Sequence, residues 1–274
     1  VMLLVTFTFV RWAVALTTRI VIAHTFWIFL RVVCFTIVLL WMRHPVSSFV
    51  YPFLVCHALY SVVMKLTKYG HACIVFEDQG KKLVLDPGAY TDFPADLTDV
   101  IAIVITHEHG DHFFEPSLEQ ILGNNPEAMI YGTPSACKKV PNLKTTPVYH
   151  GDHYEVGPFT IEFFGDLHAV IHSSIPVIEN RGVLINDKFY YPGDSFTQPD
   201  RKVELLAVPT SAPWLKISEV MDFVAAVKHS HSMATHNALN SDFGNSLSND
   251  RVKMVTESQG GQFHYLLPSD SLEI

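Results

Sequence analysis

The chain opens on a long apolar stretch and changes character near residue 64. From Val1 to Val63 apolar residues dominate, and Arg11, Arg19, Arg31 and Arg43 are the only formal charges. The run His24–Met42 is interrupted only by Arg31 near its middle. A membrane helix needs about 20 mostly apolar residues. A central Arg costs roughly 2.5–3.5 kcal/mol, while each Leu, Ile, Phe or Val contributes roughly 0.3–0.6 kcal/mol in favour. That balance predicts one transmembrane helix. A second reading rests on Met64-Lys65-Leu66-Thr67, which has the form of a natural protein start in a chain that begins on Val1. Residues 1–63 are then either a membrane anchor or an over-extended gene start, and 64–274 is the functional domain.

From Met64 the pattern turns to short β runs and then helices. Leu66–Tyr69, Cys73–Phe76 and Lys82–Asp86 predict strands, with a hairpin turn at Asp78-Gln79-Gly80-Lys81. Val100–Thr106 is apolar at every position through Ile105, which suits a strand buried on both faces. Ala128–Tyr131, Phe159–Phe164 and Leu205–Val208 predict further strands, and Val183–Tyr191 a hairpin around Asn186-Asp187. Glu115–Leu122 predicts a helix. Ile217, Val220, Met221, Val224 and Val227 form one apolar stripe at helical spacing, which predicts a second helix for core packing. A short strand end at Ala234-Thr235-His236, a helix Asn249–Ser258 and a strand near Phe263–Leu267 follow. Alternating segments of this kind predict an α/β fold of two sheets with helices outside.

Charge narrows the partners. The body after residue 63 holds 15 basic and 27 acidic residues, a net of −12. Binding a phosphate backbone needs basic surface, so a small-molecule substrate is favoured over nucleic acid. Membrane contact is expected only through residues 1–63, and otherwise a cytoplasmic location. Cys34, Cys56, Cys73 and Cys137 form no CxxC pair and read as buried free thiols.

The candidate chemistry is concentrated in Thr106-His107-Glu108-His109-Gly110-Asp111-His112, at the C-terminal end of the apolar strand. Imidazole and carboxylate are the ligands of catalytic zinc. After a strand, a tight turn can aim His107 and His109 at one metal, and Asp111 and His112 at a second. Gly110 is expected to permit the bend between the pairs.

This motif resembles the His-x-His-x-Asp-His signature of the metallo-β-lactamase superfamily, and the resemblance extends over the body from Met64. It implies a four-layer αββα sandwich, here preceded by the apolar segment. It also implies three further ligands in the order His, Asp, His. These correspond to His168 in Gly165-Asp166-Leu167-His168, Asp194 in Tyr191-Pro192-Gly193-Asp194-Ser195, and His236 in Ala234-Thr235-His236. By similarity, His107, His109 and His168 hold one ion, Asp111, His112 and His236 the other, and Asp194 bridges. His172 stands as a rival to His168, although the Gly-Asp-x-His context favours His168. Asp86 resembles the family's supporting carboxylate. His229 and His231 are expected to close the helix before His236, and His150, His153 and His264 to be loop or packing residues.

Tyr69-Gly70-His71-Ala72 resembles an element of a compact branch that includes ascorbate-6-phosphate lactonase and N-acyl phosphatidylethanolamine phospholipase D. There His71 would face the site as a catalytic or substrate contact, and Trp214 would wall the pocket. The resemblance implies an enzyme: a metal-dependent hydrolase with two divalent ions, zinc foremost and manganese or iron(II) as alternatives. A water shared by the ions attacks a small ester, lactone or phosphodiester, with Asp111 orienting it or accepting its proton. The rivals are a tRNA-processing-type nuclease and a non-catalytic membrane-associated protein that retains the fold.

Overall fold

The structure, a computed structural model, describes residues 63–274. The expected membrane helix, Cys34 and Cys56 lie outside those residues. Among the described residues no helix is long and apolar enough to cross a membrane, and Cys73 and Cys137 are buried free thiols.

Among the described residues, fourteen strands form two sheets of seven. The first sheet contains β1 (Lys65–Lys68), β2 (Ile74–Asp78), β3 (Lys81–Leu85), β4 (Val100–Ile105), β5 (Met129–Gly132), β6 (Thr145–Pro147) and β14 (Ser271–Glu273). Their order is β14-β1-β2-β3-β4-β5-β6. The second sheet contains β7 (His153–Val156), β8 (Phe159–Phe164), β9 (Gly182–Ile185), β10 (Phe189–Tyr191), β11 (Val203–Pro209), β12 (His229–Thr235) and β13 (Gln262–His264). It runs in the order β13-β12-β11-β10-β9-β8-β7. In each sheet one half is antiparallel and the other is parallel: β3 to β6 in the first, β10 to β13 in the second. Helices α1 (Glu115–Asn124) and α2 (Pro134–Lys139) connect strands of the first sheet, and α3 (Ile217–Ala226) and α4 (Asp242–Ser258) strands of the second.

Strand alternation explains the layers. Leu83, Leu85, Ala102 and Val104 point to a core shared with Phe159, Ile161, Phe163, Leu205 and Ala207 of the second sheet. Their neighbours Val84, Ile103 and Ile105 point the other way, onto Leu118 and Ile121 of α1. Likewise Leu206 and Val208 meet Val220, Phe223 and Val224 of α3. The result is helices, sheet, sheet, helices. A strand such as β4 is buried on both faces, which is why its sequence is apolar at every position.

Several expectations shift. His229 and His231 lie on β12, not at a helix end, because α3 stops at Ala226 and Val227 is already extended. Their polar sequence hides a strand that parallel pairing with β11 and β13 secures. Helix α4 begins at Asp242, ahead of the expected Asn249, where the Ser241 side chain accepts from the N–H of Gly244. Phe243 and Leu247 face solvent, so no apolar stripe marks that first half. Strands β6, β7 and β14 and helix α2 carried no periodic signal. β14, for instance, forms by pairing Leu272 with Leu66.

Phe76 is buried between the sheets, edge-on to Phe189 at 4.8 Å. In denaturant unfolding, Phe76→Ala is expected to lower stability by about 3–5 kcal/mol. Phe243→Ala, on exposed surface, is expected to change it by less than about 0.5 kcal/mol. Equal effects would contradict this layer assignment.

Candidate metal centre

The site grows from the C-terminal ends of the parallel strands, where open α/β sheets place ligands. Asp86 follows β3 and is fully buried in a left-handed conformation, φ 44°. It accepts from the N–H of Thr106 at 2.8 Å, the Thr106 hydroxyl at 2.7 Å and His112 Nδ1 at 2.7 Å. This carboxylate therefore anchors the start and end of the 106–112 loop. Gly110 does not have the expected role: its φ is not left-handed, and a Cβ there would meet open space. The glycine that the loop requires is Gly88, where a Cβ would lie 1.8 Å from the Asp111 carbonyl oxygen.

His168 is buried just after β8, and its Nδ1 donates to the Ala169 carbonyl at 2.6 Å. Its rival His172 is exposed and bonded to Ser174, away from the others. Asp194 follows β10. Asn180 accepts from the Asp194 N–H at 3.0 Å and donates to the Pro192 carbonyl at 2.9 Å, which clamps that turn. Trp214 does more than wall the pocket: its indole N–H donates to Asp194 Oδ2 at 2.9 Å. His236 follows β12 at φ 54°, with its N–H bonded to the His71 carbonyl and its Nδ1 to the Ser211 carbonyl.

These side chains converge in two groups. His107, His109 and His168 form one, with His107 Nε2 3.1 Å from His109 Nδ1. Asp111, His112 and His236 form the other, together with His71. Asp194 stands between them. Its Oδ2 lies 3.3 Å from His168 Nε2, and its Oδ1 lies 3.3 Å from His112 Nε2 and 3.1 Å from His236 Nε2. Nε2 of His71, His112, His168 and His236 and Oδ1 of Asp194 are buried, yet have no well-directed hydrogen bond among the described residues. Buried polar atoms are ordinarily satisfied. Converging lone pairs of this kind fit a metal ion.

Electrostatics points the same way. Burial alone would raise the Asp194 pKa, but the His112 charge and the close imidazoles of His112, His168 and His236 hold it well below the carboxylate range. Burial opposes a charge on His112 and on His236 as well. Asp194 and Asp86 nonetheless raise His112 well above its ordinary value, and Asp111 and Asp194 raise His236 to about 9. His107 is lowered by burial and by His112, which outweigh the opposing effect of Asp194. The three carboxylates Asp86, Asp111 and Asp194 thus favour protons on His112 and His236. Divalent ions would displace those protons on binding.

A family model for the beta-lactamase superfamily domain matches residues 65–236. The chain belongs to the metallo-β-lactamase superfamily. Protein Rv0786c of Mycobacterium tuberculosis is 36% identical over 181 residues, covering 64% of this chain and 85% of that protein. A metal-dependent hydrolase of Carboxydothermus hydrogenoformans is 25% identical over 193 residues, covering 63% of this chain and 84% of its own. Igni18, a metallo hydrolase of Ignicoccus hospitalis, matches in fold with a TM-score of 0.60 at 17% identity, over 77% of this chain and 98% of that one. As a superfamily member with these ligand clusters, the chain is an enzyme, a metal-dependent hydrolase of the metallo-β-lactamase fold.

Sequence reasoning missed Asn180, Gly88 and Lys68. Lys68 is buried, with its pKa lowered by burial to about 8. It donates to the Ala234 carbonyl and to Asn237 Oδ1, on either side of His236. A lysine in an alternating strand pattern was the one legible signal. His150, His153, His229, His231 and His264 stand apart from the metal clusters.

Removing the Nδ1 partner of His112 frees its ring. Asp86→Ala is expected to weaken metal binding about 10–100-fold in a chelator-competition titration, and unchanged affinity would show that Asp86 does not orient the ligand. Gly88→Ala must push the Asp111–His112 peptide aside. Less metal bound per chain is expected on elemental analysis, and undiminished content would overturn that account.

Proposed function

We propose that the chain is a dinuclear metal hydrolase acting on a small ester, lactone or phosphodiester. The observation that carries this reading is Asp194, with one carboxylate oxygen turned to each histidine group. His107, His109 and His168 would hold one divalent cation, Asp111, His112 and His236 the second, and Asp194 both. Nitrogen and carboxylate ligands of this kind suit zinc first. Bound there, the pair of cations supplies a nucleophile from water at neutral pH and polarises the substrate's reacting oxygen.

The protein's own groups do the rest. Trp214 holds Asp194 Oδ2, and imidazole nitrogens face both of its oxygens, so this carboxylate is turned to the metal groups rather than to substrate. Asp111 is partly exposed at the cleft, with its pKa held low by the close imidazoles of His236 and His71, which outweigh burial. It is the carboxylate placed to orient or accept a proton at the reacting atom. The cleft has a volume of about 360 Å³ and is walled by Tyr90, Ile171, Pro213, Trp214 and Leu239. Such a cleft suits a small substrate with an apolar part. The acidic body supports the same choice over a nucleic acid.

Elemental analysis of the zinc-loaded protein should give two ions per chain. On a panel of esters, lactones and phosphodiesters, Asp194→Ala and His109→Ala should each lower kcat/KM by at least roughly 100-fold, the upper loss seen for groups that merely support a ligand. A protein that carries both ions and hydrolyses no member of the panel above background would falsify the proposal.

A further inference from the structure

His71 sits within the second group at ligand-like range. Its Nε2 lies 3.3 Å from Asp111 Oδ2, close but without a well-directed hydrogen bond, and the residue is wholly buried. Distance alone would make it a fourth ligand beside Asp111, His112 and His236. The partner at the other ring nitrogen decides otherwise, because a neutral imidazole carries one proton and offers one lone pair.

At four of the five assigned histidine ligands the Nδ1 partner is an acceptor, the exception being His109, whose Nδ1 faces His107 Nε2. His112 Nδ1 faces the Asp86 carboxylate, His168 Nδ1 the Ala169 carbonyl and His236 Nδ1 the Ser211 carbonyl. His107 Nδ1 faces the Thr106 hydroxyl, whose single hydrogen is already donated to Asp86, so the oxygen accepts. In each case Nδ1 holds the proton, and Nε2 presents its lone pair to the site. His71 is reversed. Its Nδ1 lies 3.1 Å from the backbone nitrogen of Ala238. A peptide N–H is a permanent donor, so Nδ1 must accept, and the ring proton stands on Nε2. Turning the ring over would face carbon atoms to both Ala238 and Asp111. Tyr90, edge-on at 5.6 Å, and His236, 3.9 Å away, pack the ring in place.

We propose that His71 is not a metal ligand but a fixed Nε2–H donor that holds Asp111, and so acts as a positioning residue for the carboxylate of the second cation. The proposal rests on the ligand assignment given under Proposed function. An N–H donated to a ligating carboxylate fixes its orientation and moderates its charge, as outer groups do at metal centres. The same residue also receives the His236 N–H at its carbonyl oxygen, at 2.8 Å. One residue thus aligns two members of the second group without joining it.

The test compares His71→Gln and His71→Asn in the full chain, with zinc alone as probe. The Gln amide N–H2 can reach the position of Nε2 and present an N–H to Asp111. The Asn oxygen can take the Ala238 N–H but falls short of Asp111. Both variants should bind two ions per chain. Affinity for the weaker ion, by chelator competition, should stay near wild type in His71→Gln and fall about 10–100-fold in His71→Asn. Two-bond proton–nitrogen NMR of the wild type should show the His71 proton on Nε2, with or without zinc. A proton on Nδ1 overturns the proposal. So does loss of one ion in both variants while the wild type holds two, or equal affinity in the two variants. Wild-type protein that binds less than one ion per chain fails the dinuclear reading instead, and the NMR measurement still decides the role of His71.

Discussion

A buried carboxylate, Asp86, is the group on which the centre depends. It accepts three hydrogen bonds, from the Thr106 backbone, the Thr106 hydroxyl and His112. Burying a carboxylate without partners costs several kcal/mol, so those three donors must stay where they are. That requirement ties the end of β3 to the end of β4 and sets the ring of His112. It also sets the tautomer of His107, because the Thr106 hydroxyl has only one hydrogen to give. A single desolvated charge thereby aims two imidazoles.

The centre also needs both sheets in fixed relation. The 106–112 loop belongs to the first sheet, and His168, Asp194 and His236 to the second. The shared apolar core between the sheets provides the bulk of the adhesion. Polar straps provide the alignment at the site. The Arg181 N–H binds the Thr106 carbonyl, the His236 N–H binds the His71 carbonyl, and Lys68 holds the carbonyl of Ala234 and the side chain of Asn237. Each strap joins a residue of one sheet to one of the other within a turn of a ligand. Hydrophobic contact is non-directional and could not place imidazole nitrogens so closely; directed hydrogen bonds can.

How legible a residue was depended on how local its role is. The His107 to His112 cluster could be read because its members share one loop, so their spacing is their geometry. Asp86 could be read as a turn, and its resemblance to a family position made it a supporting group. Asn180 and Gly88 gave no signal. An asparagine that clamps a turn across the sheet, and a glycine that lets the loop pass close by, look ordinary until the partner segment is in place. His229 and His231 misled, because polar residues at a helix end are common and the strand they form is secured by its neighbours.

By itself the sequence determined the two-sheet α/β plan, the buried strand that delivers the loop, and the kinds of ligand available. These follow from periodicity and from side-chain chemistry, which are local. Only the tertiary structure decided which histidines meet, with His168 inside the cluster and His172 outside it. It alone decided what each imidazole offers. For His71 that answer comes from a backbone N–H lying 167 residues further along the chain. A proton's place on a ring depends on the group facing its other nitrogen, and no spacing in a sequence records that.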